Sequence, residues 1–427
     1  MVVLVVGGGG REHALCWKLA QSSHLSRLVA APGNPGIARH AACVAVSVDD
    51  HDGMLRLAER ERTDLVVVGP EVPLVAGLAD RLRDKGFTVF GPGAAAAALE
   101  GSKAFAKELM ARAGIPTARY ATFTEPAPAR AFCRELGAPV VVKADGLAAG
   151  KGAIVCTTLA DADEAIAVCM ERRQFGAAGA TVVVEEFLRG EEASFFAVSN
   201  GTDAVAIGVA QDHKTVFDGD VGPNTGGMGC FTPVASVDAA MHARIMRTIV
   251  EPTFGAIARA GAPYRGVLYV GLMLTAEGPK VIEYNVCFGD PECQAIVASM
   301  DGDLLPLVDA AARGSTLPTV NVSRRAAVCV VVASGGYPEH YATGLPIDGI
   351  GEAEAKPGVV VFHAGTALRD GRPVTAGGRV LGVTAVADDV GSAIDRAYGA
   401  VARIRFEGMH FRKDIGRRKA SPRRSTA

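Results

Sequence analysis

Short apolar runs alternate with longer segments of mixed polarity over the first ninety residues of the chain. The run at 2–6 is wholly apolar and ends at the glycines 7–10, and similar runs at 65–68 and 88–90 end in Gly-Pro turns. Strands that are apolar along their whole length are typical of parallel sheets covered on both faces. The intervening segments, such as 11–21, have the length and spacing of helices. The pattern predicts a Rossmann-like α/β unit at the start of the chain.

The turns that follow these strands carry the candidate ligand contacts of this unit. In an open parallel sheet, ligands bind beyond the carboxyl ends of the strands, so Gly10, Asn34 and Glu71 are predicted to face one crevice. The glycine turn lacks the spacing of a dinucleotide fingerprint, because Glu12 stands where the last glycine of a series beginning at Gly7 would be. Two interpretations of this turn stay open: it binds a phosphate, or it only connects the strand to the helix. Glu71 could equally complement the dipole of a helix start.

A second glycine-rich stretch, at 140–152, follows three consecutive valines and contains two lysines. The valines are typical of a buried strand, so Lys143 is expected at the strand's end. The glycines leave the backbone free to wrap a ligand around Lys151. Two lysines in this setting are suited to a polyphosphate, whereas a flexible hairpin with two solvated lysines is the alternative. The stretch is not a Walker A loop, because Gly152 replaces the Ser or Thr that holds magnesium.

The middle of the chain supplies two further candidate features. Residues 211–229 are polar and rich in glycine, which predicts a long functional loop suited to a small anionic substrate. The strands predicted at 266–274 and 280–284 pair, and the second one places Glu283 and Asn285 on the same face. A carboxylate and an amide oxygen with this spacing are ligands suited to Mg²⁺ beside phosphates.

The last third of the chain predicts one long helix, a third sheet and a tail. Asp290 and Pro291 are suited to cap a helix that runs to about Arg313. Tight polar turns separate the strands expected after residue 325, and Arg379 beside two glycines could reach a phosphate or remain a solvated turn residue. The last 16 residues carry seven Lys or Arg, which is typical of a disordered tail.

Composition narrows the class of protein. The 427 residues are 49% hydrophobic with a formal net charge of −2, which argues against nucleic acid as the main partner. No apolar run reaches the roughly 18 residues of a membrane span, and no basic segment of a signal peptide precedes the first strand. The nine cysteines form no Cys-x-x-Cys pair, so we expect reduced thiols and a cytoplasmic location.

A series of short motifs together resembles the phosphoribosylamine–glycine ligase family of the ATP-grasp superfamily. The motifs follow the family's order along almost the whole chain, and this combination is far more specific than a single glycine loop. The matching stretches are residues 8–14, 69–71, 99–103, 143–152, 185–188, 222–229, 288–292, 362–366 and 412–416.

The resemblance implies a multidomain α/β and α+β fold in four parts. A Rossmann-like domain at 1–102 precedes an ATP-grasp domain at 103–325, whose small mobile lobe occupies about 119–188. A C-terminal mixed-sheet domain at 326–416 packs back on the N-terminal domain, and a basic tail at 417–427 ends the chain. The resemblance also implies that a monomer or weak homodimer ligates glycine to 5-phosphoribosylamine with ATP, through glycyl phosphate, in de novo purine biosynthesis.

The same resemblance implies roles for particular residues. Lys143, Lys151 and Asp212 are expected to be catalytic, and Glu283 and Asn285 are expected to hold Mg²⁺ or Mn²⁺. The residues expected at ATP are Lys103, Lys143, Gly150, Lys151, Gly152, Glu185, Glu186, Phe187 and Glu192. The residues expected at glycine or the phosphoribosyl group are Gly9, Glu71, Asp212, Asn224, Thr225, Gly226 and Arg379.

Two positions depart from the family pattern, and each lacks an arginine that is usual there. Cys287 stands before the Phe-Gly-Asp-Pro-Glu motif, and Thr215 follows Lys214. If the strand through Asn285 persists, Cys287 lies on the edge of the metal site, where the missing guanidinium predicts slower turnover. The alternatives to the ligase are another ATP-grasp enzyme acting on a purine-pathway ribonucleotide and a nucleotide-binding protein that has lost catalysis.

Overall fold

The N-terminal region forms a parallel sheet of five strands, in a computed structural model that describes residues 1–148, 152–320 and 325–417. The strands are β1 (Val2–Gly7), β2 (Arg27–Pro32), β3 (Ala42–Cys43), β4 (Leu65–Val68) and β5 (Val89–Phe90). The helices are α1 (Gly10–Leu19), α2 (His51–Arg60), α3 (Glu71–Val75), α4 (Leu78–Asp84) and α5 (Ala94–Gly101). The order β3-β2-β1-β4-β5 puts β1 at the centre, where Leu4 is completely buried. The prediction of a Rossmann-like unit is confirmed.

The strand that ends at Lys143 belongs to a smaller antiparallel sheet. Its strands, in the order β6-β9-β7-β8, are β6 (Tyr120–Phe123), β7 (Val140–Ala144), β8 (Ala153–Cys156) and β9 (Val182–Glu186). The helices of this stretch are α6 (Lys103–Ala113), α7 (Pro126–Leu136) and α8 (Leu159–Ile166). The apolar faces of β7 and β9 pack on α7 and α8. We call β6 to β9 with α7 and α8 the small lobe.

The strands that follow the small lobe begin a large antiparallel sheet. The strands of this stretch are β10 (Glu191–Asn200), β11 (Ala204–Asp212), β12 (Thr215–Phe217), β13 (Val221–Asn224), β14 (Gly229–Thr232), β15 (Arg265–Thr275) and β16 (Gly278–Asn285). Of these, β12 and β13 pair only with each other, in a separate two-stranded sheet. The helices are α9 (Ala239–Ile245), α10 (Glu251–Arg259), α11 (Glu292–Ser299) and α12 (Leu305–Arg313). The predicted pairing of β15 with β16 is confirmed, and it delivers Glu283 and Asn285 to the strand's end.

The C-terminal strands extend this sheet instead of forming a separate one. The strands of this part are β17 (Ala326–Ala333), β18 (Val359–His363), β19 (Thr366–Arg369), β20 (Arg372–Thr375) and β21 (Arg379–Ala387), of which β19 and β20 pair only with each other. The helices are α13 (Ile350–Glu354) and α14 (Val390–Val401). The strand order is β16-β15-β10-β11-β14-β17-β21-β18, so the pairing of β14 with β17 joins the two parts. The sequence predicts a mixed C-terminal sheet, whereas β17, β18 and β21 pair antiparallel.

The parallel sheet packs against the large sheet through α1, α11 and α12. Leu15, Val297 and Leu307 from these helices share one buried cluster. The ring of Phe90 stacks on Phe288 with 5.8 Å between centroids. The C-terminal part also contacts the N-terminal unit, as predicted, because the backbone N–H of His363 donates to the ring of His13. These contacts bring the carboxyl edge of the parallel sheet to the end of the large sheet.

The single long helix predicted after Asp290 is wrong. The chain forms α11 and α12 with a break at 300–304, where Gly302 adopts a φ of +92° that would not continue a helix. Asp290 does not cap α11, because Pro291 occupies the capping position and the Asp290 carboxylate accepts a hydrogen bond from Gln294 Nε2 at 2.9 Å. The carboxylate therefore faces Gln294 and the Arg11 amide and does not cap the start of α11.

The stretch at 211–229 is not the plain loop that its composition predicts. β12 and β13 pair within it as a hairpin, with Phe217 opposite Val221. Thr215, Val216 and Phe217 are β-branched or aromatic, and Val216 is buried. This local strand preference outweighs the many surrounding glycines.

Other predictions are not settled by the fold. The domain boundaries at 102, 188 and 325 remain predictions. The glycine-rich stretch at 140–152 and the basic tail include residues 149–151 and 418–427, which lie outside the described residues. Across the described ranges, every helix is too short or too polar to traverse a bilayer.

Candidate active site

Lys143 lies buried at the junction of the small lobe and the large sheet. Its Nζ is 2.9 Å from Glu185 Oε1, and it donates to the Ile282 carbonyl at 2.9 Å. A second lysine completes the group, since Lys107 Nζ is 3.0 Å from Glu185 Oε2 and donates to Thr117 Oγ1 at 2.7 Å. Burial lowers the pKa of Lys107 to about 8. The three charged side chains form a buried Lys-Glu-Lys group between the lobes.

Lys107 is not among the candidate site residues predicted from the sequence, although its spacing from Lys103 could have indicated it. Lys103 and Lys107 are four residues apart in α6, and residues with this spacing lie on the same face of a helix. Lys103 begins α6 after the predicted cap Ser102, whose Oγ accepts from the Phe105 amide at 3.0 Å. Gly150 and Lys151 lie outside the described residues, and the carbonyl of Gly152 accepts from the Ala144 amide at 2.8 Å.

The residues predicted near adenine and ribose surround the end of β9. The Glu185 carboxylate is engaged by the two buried lysines, so any direct contact with ATP from this residue would come from its backbone. Glu186 Oε1 accepts from the Arg119 amide at 2.9 Å. Phe187 follows the strand and is half-buried. Glu192 begins the next strand and faces Lys214 at 3.4 Å.

Lys214 lies among three carboxylates. Its Nζ is 3.4 Å from Glu192, 3.8 Å from Asp212 and 4.0 Å from Glu283. Burial alone would lower the pKa of Lys214, but Asp212 and the other acids raise it well above its usual value. Burial raises the pKa of Asp212, against the opposing effect of Lys214. Burial alone would raise the pKa of Glu283, but Lys214 and two further lysines lower it below its usual value, so this carboxylate is charged.

Glu283 and Asn285 present two oxygen ligands on one face of β16. Assigned from its hydrogen-bond partners, the Asn285 amide nitrogen donates to the Tyr284 carbonyl at 2.9 Å and to Glu100 Oε1 at 3.3 Å, which leaves the amide oxygen for a ligand. Burial raises the pKa of Glu100 to about 8. Among the described residues, no three His, Cys, Asp or Glu side chains are grouped as a metal site. The pair fits a hard cation that takes its remaining ligands from phosphates and water.

The glycine turn after β1 lies close to Asp290 and α11. A Cβ at Gly10 would come within 2.6 Å of Gln294 Nε2, so a larger residue there would require this side chain to shift. The Gly9 amide donates to Glu12 Oε2 at 2.7 Å, and the Arg11 amide donates to Asp290 Oδ2 at 3.3 Å. The sequence predicts Asp290 only as a helix cap, yet its carboxylate contacts the start of α1 through the Arg11 amide and α11 through Gln294.

Glu71 and Asn34 complete the predicted meeting point at the edge of the parallel sheet. Arg11 Nη1 lies 3.5 Å from Glu71 Oε2. Asn34 Nδ2 donates to the carbonyl of Gly8 at 2.9 Å and to that of His363 at 2.8 Å. Asn34 and Glu71 therefore both lie beside the glycine turn that contains Gly10, and their convergence on one ligand crevice stays a prediction.

Arg379 holds the predicted glycine loop from the C-terminal side. Its Nη1 donates to the Gly226 carbonyl at 2.6 Å and to the Asp290 carbonyl at 2.5 Å. Thr225 Oγ1 donates to the Lys214 carbonyl at 2.8 Å, and Asn224 ends β13 immediately before it. Arg379 is therefore neither a solvated turn residue nor visibly free for a phosphate through Nη1. The structure brings 224–226 and Arg379 together, as the predicted substrate site requires.

The two departures from the family pattern lie in different surroundings than the sequence suggests. β16 ends at Asn285, so the condition under which Cys287 would continue its edge is not met. Cys287 is buried in a bend, and its thiol pKa is raised well above its usual value by burial, with Arg11 opposing. Thr215 faces a buried arginine of the C-terminal segment, Arg412, whose Nη1 donates to Thr215 Oγ1 at 2.8 Å.

We refer below to the two sides of this crevice. The ATP side comprises the Lys107–Glu185–Lys143 group and the end of β16. The acceptor side comprises the glycine turn, Asp290, Arg379 and the loop at 224–229.

Comparison with known proteins covers the whole of this arrangement. Family models described as the N domain, the ATP-grasp (A) domain and the C domain of phosphoribosylglycinamide synthetase match residues 1–100, 101–293 and 327–418. A phosphoribosylamine–glycine ligase of Brucella melitensis is 53% identical over 418 residues, which is 97% of each chain. A protein of the same name from Xanthomonas campestris is 52% identical over 422 residues, again 97% of each chain.

Solved structures agree with the sequence comparison. The crystal structure of a phosphoribosylamine–glycine ligase from Thermotoga maritima superposes with a TM-score of 0.86 at 33% identity, covering 97% of this chain and 100% of that one. The biotin carboxylase domain of a 2-oxoglutarate carboxylase from Hydrogenobacter thermophilus shares the fold at 16% identity, with a TM-score of 0.75 and coverage of 96% and 91%. The chain belongs to the phosphoribosylglycinamide synthetase family.

Proposed function

We propose that this chain is an ATP-dependent carbon–nitrogen ligase that joins glycine to 5-phosphoribosylamine, giving glycinamide ribonucleotide, ADP and phosphate in de novo purine biosynthesis. The observation that carries the proposal is the contact of Lys143 Nζ with the carbonyl of Ile282, the residue before Glu283. This contact places Lys143, which is suited to a polyphosphate, beside β16, the strand that carries the two oxygen ligands Glu283 and Asn285. The family match over the full chain supports the choice of substrates.

ATP and a divalent cation would occupy the ATP side. Lys103, Lys143 and Lys151 would contact the phosphates, with Gly150 and Gly152 wrapping them and Glu186, Phe187 and Glu192 beside the nucleoside. Glu283 and Asn285 would hold Mg²⁺ or Mn²⁺. Bound there, the cation would neutralise charge on the phosphates during transfer.

Glycine and phosphoribosylamine would meet on the acceptor side. Asp212 and the loop residues Asn224, Thr225 and Gly226 would hold glycine, with the carboxylate of Asp212 suited to an ammonium group. Gly9, Glu71 and Arg379 would face the phosphoribosyl group, with Arg379 fixing the loop that lies between the substrates.

The reaction requires two transfers in sequence. An oxygen of the glycine carboxylate attacks the γ-phosphorus of ATP, and the bond from that phosphorus to ADP breaks, which forms glycyl phosphate. The amine of phosphoribosylamine then attacks the carbonyl carbon, phosphate leaves, and the nitrogen loses a proton. The chain's part is to position these groups and neutralise their charge, which accounts for most of the catalysis in phosphoryl transfer. We further propose small-molecule substrates only, a monomer or weak dimer, and a cytoplasmic location.

A coupled assay of ADP release tests the proposal. We expect ADP release only when glycine and phosphoribosylamine are both present, and we expect the product to have the mass of glycinamide ribonucleotide. Release that is indifferent to glycine would contradict the ligase. Release with another purine-pathway ribonucleotide in place of phosphoribosylamine would favour a different ATP-grasp reaction.

A further inference from the structure

The last described segment of the chain grips the hairpin that leads into the glycine loop. Arg412 is buried, and its guanidinium contacts the side chains of three residues. Nε and Nη2 donate to the two carboxylate oxygens of Asp414 at 2.8 and 2.7 Å. Nη1 lies 2.9 Å from Asp220 Oδ1 and donates to Thr215 Oγ1 at 2.8 Å. Thr215 and Asp220 belong to the β12–β13 hairpin, so the arginine bonds it at two points.

Two further hydrogen bonds, made by the residues just after Arg412, repeat the link. The Lys413 amide donates to Asp218 Oδ1 at 2.7 Å, and the Gly219 amide donates to Asp414 Oδ2 at 2.9 Å. The turn of the hairpin is thus joined to residues almost two hundred positions further along the chain. Several directed hydrogen bonds of this kind fix orientation as well as distance.

A buried guanidinium is stable only when its charge and donors are matched. Two carboxylates supply the charge, and the pKa of Asp414 falls to about 2, because hydrogen bonds from Arg412 and the Gly219 amide outweigh the effect of burial. Thr215 and Asp220 belong to the hairpin, whereas Asp414 belongs to the C-terminal segment, so the partners that match the arginine join these two parts of the chain.

The hairpin carries its position directly into the proposed glycine site. Thr215 follows Lys214, and the Thr225 amide donates to the Lys214 carbonyl at 2.8 Å just after β13 ends. Lys214 in turn lies 3.8 Å from Asp212. A shift of β12 and β13 would move Lys214 and the start of the 224–229 loop together.

We propose that Arg412 is a positioning residue for glycine binding: it anchors the β12–β13 hairpin, and through it Lys214 and the 224–229 loop, from the C-terminal end of the chain. The inference rests on the proposed ligase function for its kinetic consequence. Its structural consequence, a hairpin held by Arg412, can be measured without any turnover.

Arg412→Met tests the proposal, with Arg412→Lys as the conservative variant and Arg403→Met as the matched control. Arg403 is an exposed arginine in the same C-terminal stretch. We expect Arg412→Met to raise the KM for glycine about 10- to 100-fold, since small misplacements in a site can cost this much. The KM for ATP should rise by a smaller factor than the KM for glycine, because the hairpin is linked to the ATP side through the Lys214 side chain near Glu192 and Glu283 and not through the 224–229 loop. Arg412→Lys should fall between wild type and Arg412→Met, and Arg403→Met should match wild type.

Hydrogen exchange of the unliganded protein supplies the second measurement. The amides of Gly219 and Thr225 should exchange faster in Arg412→Met, while those of β7 and β9 keep their wild-type rates. A folded Arg412→Met variant with unchanged glycine KM and unchanged hairpin exchange would overturn the proposal. Equal increases in the KM values for glycine and ATP would also overturn it, since they would indicate a general loss of structure.

Asp218→Ala keeps the proposal testable if Arg412→Met does not fold. Asp218 is exposed and accepts only the Lys413 amide from the anchoring segment. We expect a smaller rise in glycine KM with faster exchange at Gly219, and no change in both measurements would contradict the anchor. Wild-type ADP release without any need for glycine would refute the ligase instead, and the exchange experiment would still decide the anchoring role.

Discussion

On the ATP side of the crevice, charged side chains hold one another in place, whereas on the acceptor side, side chains hold the backbone. Lys107 and Lys143 share the carboxylate of Glu185 out of contact with water. Across the crevice, Arg379 instead donates to the carbonyls of Gly226 and Asp290. The first arrangement depends on which charges are present, and the second depends on where the backbone runs.

This difference predicts which substitutions each side tolerates. A buried group of charges fails when one member is removed, because the partners left behind are uncompensated. A site made of backbone groups fails when a side chain changes the path of the chain, even if no charge is altered. The following changes, from the largest expected effect to the smallest, test that contrast.

Removing Lys107 should destabilise the ATP side most. In Lys107→Met, the Glu185 carboxylate keeps Lys143 but loses its second cation, and breaking a buried pair costs about 3–5 kcal/mol. We expect amides of β7 and β9 to exchange about 10²-fold faster or more. The double variant Lys107→Met/Glu185→Gln should recover part of this loss. If the double variant is no better than the single one, charge is not what holds this side.

Removing Glu283 should abolish most turnover while leaving the fold intact. Glu283→Ala loses one of two proposed metal ligands, and we expect turnover to fall by about 10²–10³, with weaker Mn²⁺ binding in the presence of ADP. The control is Glu277→Ala, which removes an acid that is 77% exposed in the turn between β15 and β16. Near-normal turnover with ordinary metal dependence in Glu283→Ala would rule out this assignment.

A single methyl group should damage the acceptor side without changing any charge. Gly227 has a φ of +111°, and a Cβ there would lie 2.6 Å from Pro291 Cδ. Such strain costs on the order of 1–3 kcal/mol, so we expect Gly227→Ala to raise the KM for glycine about tenfold and to leave ATP binding unchanged. Gly351→Ala is the control, because a Cβ at that glycine meets nothing within 4 Å. A Gly227→Ala enzyme with the wild-type glycine KM would show that this backbone is free to adjust.

Acid should weaken the contact between His13 and His363, which joins the N-terminal unit to the C-terminal part behind the acceptor side. Burial lowers the pKa of His13 to about 2 and that of His363 to about 4, so both are neutral when folded and charge more readily when unfolded. The unfolded state binds more protons below pH 6.5, and stability falls as the pH drops, by about 2 kcal/mol at pH 5 for His13. Denaturation midpoints between pH 7.5 and 5 measure this.

The matched variant for this experiment is His13→Asn. Its side-chain oxygen can still accept the His363 amide, which donates to His13 Nδ1 at 2.7 Å in the wild type. We expect the variant to have a flatter pH dependence, because one titrating group is gone. An equally steep dependence in His13→Asn would assign the acid sensitivity to other groups.

Restoring a guanidinium at position 287 should give the smallest change. Glu100 and Glu71 both raise the pKa of the Cys287 thiol, so these acids could pair with an arginine introduced there. We expect Cys287→Arg to raise kcat at least about tenfold, or roughly 1.4 kcal/mol, with little change in ATP binding. Cys287→Ser is the control of similar size. A slower or unchanged Cys287→Arg enzyme would mean that the site has been rebuilt around the cysteine.

Local patterns in the sequence were sufficient for most of the secondary structure and for part of the site. β1, β7 and β17 begin where apolar runs begin, because a run of β-branched residues has few other ways to be buried. Ser102 and the spacing of Glu283 and Asn285 were equally visible, since helix caps and strand faces depend on residues a few positions apart. The motif order then identified the family before any coordinate was needed.

What the sequence could not determine depends on partners that are distant along the chain. Asp290 resembles a helix cap until Arg379 and the Arg11 amide are placed beside it. Lys107 resembles a surface lysine until β9 brings Glu185 to within 3.0 Å. The apolar pattern of a strand fixes only which face is buried, and the identity of the neighbouring strand or segment follows from the packing of the whole chain. Tertiary structure alone therefore decided which charges pair, that β14 joins β17, and that Arg412 contacts the hairpin beside the glycine loop.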